Sequence, residues 1–437
     1  MFSLLSLYWL QSFASSAQVT RAAAREDSGS LRQAEPAGHW VPRQESGNQF
    51  ETKLLALDYQ LSTTMRVIDS HAYCFKPADD PAGHASDEEH LRWVQGSHAG
   101  HHQPAWRVRD RAPASSRSLD PTGAFRLAEL PNLDFRVDHA LGRVLWTDEG
   151  EDFTKQYYPL NLRNLELTPH SLIAEMDYAG VDKTLLHTDP TLGREASFQA
   201  ECVRCYPDRL WSMAPVDEWR IRQETDAVID EVVAAIQTYK LHAIKFIPQL
   251  AYLDSATPWN DGPYRPFWEV ATSLKVPIFF TLGNGPLEFG SVSADRQRAG
   301  YLNEHGILLR WMERYPDTVC SLTHGFPWRL FVDGDVIRLP DEIWAPFKNP
   351  SLHLEVCFPV RIGDLFDYPY REVWPTLEAM MKRLGADRLL WGTDMPFQNR
   401  FCTYRQSRHW LERYCSFLGD DELAWILGGT AAKILGV

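Results

Sequence analysis

A series of side chains able to carry a proton, bind a metal or polarise a carbonyl falls at the ends of short apolar runs: Asp69, His71, Tyr73, His187, Lys245, Thr281, His324, Glu355 and Asp394. Runs destined for a core rarely keep so many ionisable groups, because an unpaired buried charge is costly. Asp394 stands in the segment GTDMP (392–396), just after an apolar run and just before a proline turn. That position suits a carboxylate that exchanges a proton or binds a metal. His324 and His71 are the imidazoles that would share such chemistry, and Asp394, His324 and His71 are the candidate catalytic residues. Two members have plain structural readings as well. His187 reads as a hydrogen-bonded core histidine, and Lys245 as an ion-pair partner of Glu355.

The runs themselves read as strands. They cover 66–73, 183–187, 210–216, 243–247, 277–282, 319–323, 352–357 and 389–392, and are short, nearly all apolar and rich in β-branched or aromatic residues. Such strands suit a parallel sheet buried on both faces. Helix-like stretches separate most of them, at 169–179, 224–239, 266–274, 301–315, 373–384 and 404–418. The first has Thr168 at the cap position, Pro169 in the first turn and Gly180 as the stop. Alternation of this kind predicts an α/β fold, a closed (β/α)8 barrel. An open sheet built around a nucleotide would want a glycine-rich first turn, whereas the first strand ends in Asp-Ser-His-Ala-Tyr. In a barrel the strand C-termini form the active site, which is where the candidate residues stand.

One stretch breaks the alternation. Residues 75–168 are too long for an ordinary βα loop and are expected to form a cap or lid over the catalytic face. They contain His98, His101 and His102, the basic pair Arg107 and Arg109, and a hairpin-like piece at 135–146 with its turn near 141–142. Arg107 and Arg109 are candidates to clamp a substrate carboxylate, as arginine does bidentately. A solvated surface role is the plain alternative. Residues 1–64 are polar after an apolar start and aperiodic; they are expected to be a disordered extension, with the barrel spanning 65–437.

The chain has 437 residues, a formal charge of −14 and 16 tryptophans. An acidic chain argues against nucleic acid as a partner. No run is long and apolar enough for a membrane span, so a small-molecule substrate is the expected partner, with a homodimer compatible. Seven scattered cysteines read as reduced thiols of a cytoplasmic protein. Aromatic residues at Tyr73, Phe326, Trp328 and Phe358 suit a flat, unsaturated substrate or simply a core.

Eight fragments in order resemble the amidohydrolase-related family, in the branch that includes aminocarboxymuconate-semialdehyde decarboxylase and the resorcylate-type decarboxylases. They are VIDSH (67–71), EMDYAGVD (175–182), YPDRL (206–210), AIKF (243–246), VPIFF (276–280), THG (323–325), LWGTD (390–394) and GGTAA (428–432). The resemblance covers 65–437 apart from the insertion. It implies a barrel of the metal-dependent-hydrolase type, with a divalent metal such as zinc held by a His-x-His after the first strand, a His after the fifth and an Asp after the eighth. A His after the sixth strand handles protons. Carried over, His71 and Asp394 are metal ligands and His324 is the proton-handling histidine. Tyr73 and Thr281 stand where two ligand histidines belong, which leaves the site incomplete and makes both candidate substrate-binding residues. The family also includes members that hydrolyse a lactone without metal.

Three functions are compatible with this sequence. The first is hydrolysis of a C–O or C–N bond in a small cyclic or carboxylated substrate, with Asp394 activating water and His324 and His71 holding the developing oxyanion. The second is non-oxidative decarboxylation (a carboxy-lyase reaction) of an aromatic or unsaturated acid, with Asp394 or His324 protonating carbon. The third is a barrel that binds without catalysing.

Overall fold

The computed structural model describes residues 66–286 and 293–437. The expected extension at 1–64 lies outside the described residues. All eight expected strands form: β1 (Ile68–Ala72), β2 (Lys183–Leu186), β3 (Leu210–Ala214), β4 (Ala243–Phe246), β5 (Ile278–Phe280), β6 (Cys320–Leu322), β7 (Leu352–Val356) and β8 (Leu389–Trp391). They pair in parallel and in chain order, from β1 to β8. Each is shorter than its apolar run because the flanking residues turn into the connecting loops.

The sheet closes between its last and first strands. Asp394 N–H donates to His71 O (2.8 Å) and Tyr73 N–H to Met395 O (2.9 Å). Asp69 rivets the same seam. Its Oδ1 accepts from His71 N–H (2.9 Å) and Thr393 N–H (3.1 Å), and its Oδ2 accepts from the hydroxyls of Thr393 (2.5 Å) and Tyr404 (2.7 Å). Burial pushes this carboxyl up to about 7 against the pull of those bonds. The C-terminal GGTAA segment packs on the foot of β1, where a Cβ on Gly428 would sit 2.0 Å from Arg66 O. Only glycine allows that approach.

Strand alternation sorts the side chains. On β4, Ile244 and Phe246 join the core beneath the helices, whereas Ala243 joins an inner cluster with Ile68, Leu185, Phe279 and Leu390. Lys245 therefore faces inward, one layer nearer the strand C-termini. The inner barrel is thus apolar at one end and polar at the other.

The helix Pro169–Ala179 is capped by Thr168, whose hydroxyl accepts from Ser171 N–H, and stops at Gly180 with φ +68°. A longer helix than expected, Ala294–Arg314, begins at Ser293, whose side chain caps Arg296 N–H. Its polar first turns carry no apolar stripe, which is why the periodicity starts only at 301. The stretch expected as one helix from 404 is α-helical over Tyr404–His409 and π-helical over Trp410–Tyr414.

The insertion is more ordered than its sequence shows. A helix, Asp87–Gly100, is capped by Ser86. An antiparallel five-stranded sheet runs in the order Pro113–Ala114, Ala105–Arg107, Glu151–Lys155, Arg143–Asp148, Arg136–Asp138. The expected hairpin is its last pair, with Val137 opposite Val144. The excursion begins and ends at one point, since Phe75 and Leu167 exchange both backbone hydrogen bonds at 3.0 Å. Among the described residues no helix is long and apolar enough to cross a membrane.

Replacing Asp69 with Ala strands three buried donors, the His71 and Thr393 N–H groups and the Tyr404 hydroxyl (the Thr393 hydroxyl keeps His71 O at 3.2 Å), each costing about 1–3 kcal/mol when unsatisfied. Denaturant unfolding of Asp69→Ala should therefore show a loss of at least about 3 kcal/mol. An unchanged midpoint would mean that the seam is held by other contacts.

Candidate active site

The C-terminal ends of β1, β6, β7 and β8 bring five of the expected residues together. His71, fully buried, donates from Nδ1 to Glu355 Oε2 (2.8 Å), while its Nε2 faces the Tyr73 hydroxyl at 2.9 Å and Asp394 Oδ1 at 3.2 Å. His324 Nε2 donates to the same Asp394 Oδ1 at 2.9 Å. Asp394 Oδ1 therefore accepts from His324 and lies 3.2 Å from His71 Nε2, and no side chain among the described residues bonds Oδ2. Glu355 supports this group from behind: its Oε2 also accepts from His324 N–H (2.5 Å) and its Oε1 from the Ser70 hydroxyl (3.0 Å).

Two of these residues hold backbone conformations that non-glycine residues seldom adopt, His324 at φ +62° and Asp394 at φ +60°. Such conformations cost of order 1–3 kcal/mol each and gather at functional sites. Here they turn both side chains back over the barrel mouth. Gly325, at φ +74°, follows His324 so closely beneath Trp328 that a Cβ would meet its ring at 2.5 Å.

Burial favours neutral forms at this mouth, and only strong partners keep a charge there. Burial pushes His324 down to about 4, with the Asp394 charge pulling the other way. The same burial pushes Asp394 up, but the charge and hydrogen bond of His324, and then His71, bring it down to about 2. Near neutral pH the pair is thus a carboxylate accepting from a neutral imidazole. Burial, and then the Asp394 charge, raise Tyr73 well above the usual phenol range, so it is a hydrogen-bond donor.

A second polar row lies behind His71. The His187 ring stacks on it with centroids 3.6 Å apart and planes 10° apart. Lys245 Nζ donates to His187 Nδ1 (2.9 Å), which leaves His187 Nε2–H for Ser70 O (2.8 Å). Lys245 also reaches the Thr323 hydroxyl at 3.4 Å, and Thr281 is bonded to Thr323 at 2.5 Å. Burial pushes the Lys245 ammonium down to about 8. The simple expectation of a Lys245–Glu355 ion pair is therefore corrected, because Glu355 is taken by His71 and Lys245 by His187. His187 is the buried, hydrogen-bonded histidine expected, and it also stacks on the His71 ring.

Arg107 and Arg109 are not brought to this mouth. Arg107 forms a bidentate pair with Asp110 (2.6 and 3.0 Å) at the end of an insertion strand, and Arg109 pairs with Glu151 (2.8 Å) at 62% side-chain exposure. Their place is the solvated surface of the insertion sheet. The arginine that does reach the site is Arg400, on the turn Phe397–Arg400 after β8, together with an aromatic wall of Phe397, Tyr157 and Phe75. Sequence reading passed over these residues because Arg400 lies beyond the last strand and Tyr157 in an unassigned stretch. Phe326, Trp328 and Phe358 are core, with Trp328 and Phe358 packed at 4.4 Å.

Two groups of side chains place donor atoms near one another: His71, His324 and Asp394, and His71, His187 and Glu355. The second does not suit a cation. An imidazole binds a metal in its own plane, and the stacked rings of His71 and His187 direct their lone pairs in parallel. The first does suit one. Donors about 2.0–2.2 Å from an ion sit about 3 Å apart at adjacent coordination positions, and Asp394 Oδ1 lies 2.9 and 3.2 Å from the two histidine nitrogens. The donation from His71 Nδ1 to Glu355 is the usual outer support of a ligating histidine. His324, expected only to handle protons, is thus the third donor beside the expected pair.

Comparison with known proteins follows this geometry. No curated protein sequence matches the chain. Among solved structures, 5-carboxyvanillate decarboxylase from Sphingomonas paucimobilis aligns with TM-score 0.50 and 15% identity over 86% of this chain and 100% of that one. An amidohydrolase from Burkholderia multivorans with bound zinc aligns at 0.47 and 16% over 64% and 91%. A 2,6-dihydroxybenzoate decarboxylase from Rhizobium aligns at 0.44 and 20% over 61% and 87%. Identities this low speak for the fold alone. The family model described as amidohydrolase matches residues 164–437, well over half the chain. Fold, strand-end residues and this match agree that the chain belongs to the amidohydrolase family of enzymes.

Proposed function

We propose that this enzyme is a hydrolase that opens a C–O or C–N bond in a small cyclic or carboxylated substrate. The observation that carries the reading is the arrangement around Asp394, where the His324 imidazole holds Oδ1 and Oδ2 is left free to accept a proton at the barrel mouth. In this mechanism a water loses its proton to Asp394 Oδ2 as its oxygen attacks the substrate carbonyl carbon. The Tyr73 hydroxyl turns from His71 Nε2 to donate to the carbonyl oxygen, where negative charge develops. The tetrahedral intermediate then collapses, the C–O or C–N bond breaks, and the proton held by Asp394 passes to the leaving oxygen or nitrogen. His324 fixes the carboxylate throughout, and Glu355 fixes His71. A divalent cation held by His71, His324 and Asp394 would supply Lewis-acid polarisation and a more acidic water.

The second reading is non-oxidative decarboxylation of an aromatic acid. It is favoured by the likeness of the fold to 5-carboxyvanillate decarboxylase along that protein's whole length. That chemistry needs a proton delivered to carbon, either from His324 or from an Asp394 that begins the cycle protonated against its bond to His324.

Incubation with a panel of lactones, cyclic amides and aromatic acids should give acid products without CO2. Stoichiometric CO2 from an aromatic acid would replace the hydrolytic reading with the second one. Asp394→Asn should lose about 10²–10⁴-fold in turnover, as expected for a general base, with its thermal midpoint kept; unchanged turnover would remove Asp394 from the chemistry. Glu355→Gln removes the negative charge that faces the His71 imidazole, and a roughly 10–100-fold loss is expected, as for an outer-shell carboxylate. Activity of this variant within a factor of two of the parent would show that His71 needs no such support.

A further inference from the structure

The insertion meets the barrel through a histidine whose two ring nitrogens both face carbonyl oxygens. His90 lies on the insertion helix Asp87–Gly100 and is fully buried. Its Nδ1 is 2.6 Å from Asp80 O, near the start of the insertion, and its Nε2 is 2.9 Å from Thr191 O, in the loop that follows β2. A carbonyl oxygen only accepts, so each nitrogen must donate. A neutral imidazole has one N–H and one lone pair and satisfies only one of the two carbonyls; the ring that satisfies both is the imidazolium. Among the described residues no carboxylate pairs with the His90 ring, so the carbonyl oxygens are what hold its second proton. The neighbouring His84 gives the contrast. Its ring stacks on His90 with centroids 5.0 Å and planes 13° apart, donates from Nε2 to Pro190 O (2.8 Å) and turns Nδ1 toward Glu89 Oε1 at 3.7 Å. Burial pushes His84 down to about 4, so near neutral pH it is a neutral ring with one proton for one carbonyl.

The joint around this pair is close. Arg194 N–H donates to Ala82 O (2.9 Å), and a Cβ on Gly193 would sit 3.0 Å from the Ala82 Cβ. Two turns along the helix from His90, the Ser97 and Thr191 hydroxyls are bonded at 2.8 Å. The loop leaves β2 directly after His187 and Thr188. Helix and loop also border a cleft of about 810 Å3 between insertion and barrel, lined by Glu89, Trp93 and Phe125 on one side and by Arg194, Trp219 and Tyr252 on the other. The charged and titratable groups on the segments packed against His90 are few. They are His84, Glu89, Asp80 with Lys76 at 3.6 Å, Asp189, whose Oδ1 accepts from Thr191 N–H (2.8 Å), and Arg194, which is paired with Asp217.

We propose that His90 is a proton-dependent latch: as an imidazolium it fastens the insertion helix to the loop after β2, and on losing one proton it releases the helix and widens the cleft at Trp93. Removal of that proton sets a ring lone pair against a carbonyl oxygen at hydrogen-bond distance, so one of the two contacts turns from attractive to repulsive. The latch is therefore closed on the acid side and opens as the pH rises. It belongs to the insertion, outside the matched residues 164–437 on its helix side, and does not depend on which bond the enzyme breaks.

Hydrogen–deuterium exchange of the full chain tests this without any turnover, corrected for the intrinsic effect of pH and followed across the range in which imidazoles titrate, about pH 5–8. Protection at 87–100 and 189–193 should fall at least about tenfold toward the alkaline end, the loss typical of one charge-assisted hydrogen bond. In His90→Gln the same segments should be loosened at every pH and respond to pH no longer, because the amide carries no titratable proton. His84→Gln should keep the response, which places it at His90. A measurement on the parent needs no variant to fold: with its histidines labelled with 15N, a ring with two slowly exchanging N–H protons should be present at the acid end and lose one of them toward the alkaline end. Protection that ignores pH in the parent, a response that survives in His90→Gln, or the absence of a doubly protonated, slowly exchanging ring would overturn the proposal.

Discussion

Everything at the barrel mouth depends on one buried carboxylate. Glu355 projects inward from β7 and accepts at once from His71 on β1, the His324 backbone on β6 and the Ser70 hydroxyl. Burial alone would push Glu355 up and favour its neutral form. The attraction of His71 and the hydrogen bonds from His71 and the His324 backbone win, and its pKa ends below the usual value. A carboxylate kept charged in a closed barrel needs its donors, and the donors need it, so three strands must meet in one register. The orientation of His71 toward Tyr73 and Asp394 is a by-product of that requirement.

Closure of the barrel and assembly of the site are therefore one event. The seam contact from Asp394 N–H to His71 O is made by the residue whose side chain takes the proton in the proposed reaction. The left-handed conformations at His324 and Asp394 would relax in an open chain. Asp69, Thr393 and Tyr404 hold the seam shut a few ångströms away. The stability of the barrel is in this way spent on posture at two residues, a common arrangement for catalytic loops on a rigid scaffold.

How much of this was legible in the sequence follows from which signals are local. The strands are short apolar runs with a charged or hydroxyl residue at the end, and all eight were readable because both faces are buried. The helix after Thr168 was readable because cap, proline and glycine all sit within it. The positions of His71, His324 and Asp394 followed from fold and order together. Partners were another matter. Lys245 and Glu355 both point inward, and nothing local says that each takes a histidine rather than the other. The helix Asp87–Gly100 was missed because its buried face is made of Trp93, Val94 and polar groups such as His90 and His98, a stripe with no apolar period. The arginines of the insertion attracted notice by type, yet Asp110 and Glu151, near them in the fold, had already claimed them.

The two departures from the family's ligand pattern take on a physical sense in this setting. Where a second histidine would complete a metal pair, Tyr73 offers a phenol that stays protonated and bonds His71 Nε2. Where the strand-five histidine would stand, Thr281 joins a hydroxyl chain that ends on the Lys245 ammonium. Both changes replace an imidazole lone pair with a proton donor. A site with fewer electron-pair donors binds a cation less tightly and an oxyanion more tightly. On a chain whose formal charge is −14, local complementarity rather than net charge decides what a cleft attracts. The departures at Tyr73 and Thr281 thus fit a mouth suited to holding the negative charge that develops on the substrate in its transition state, at the phenol.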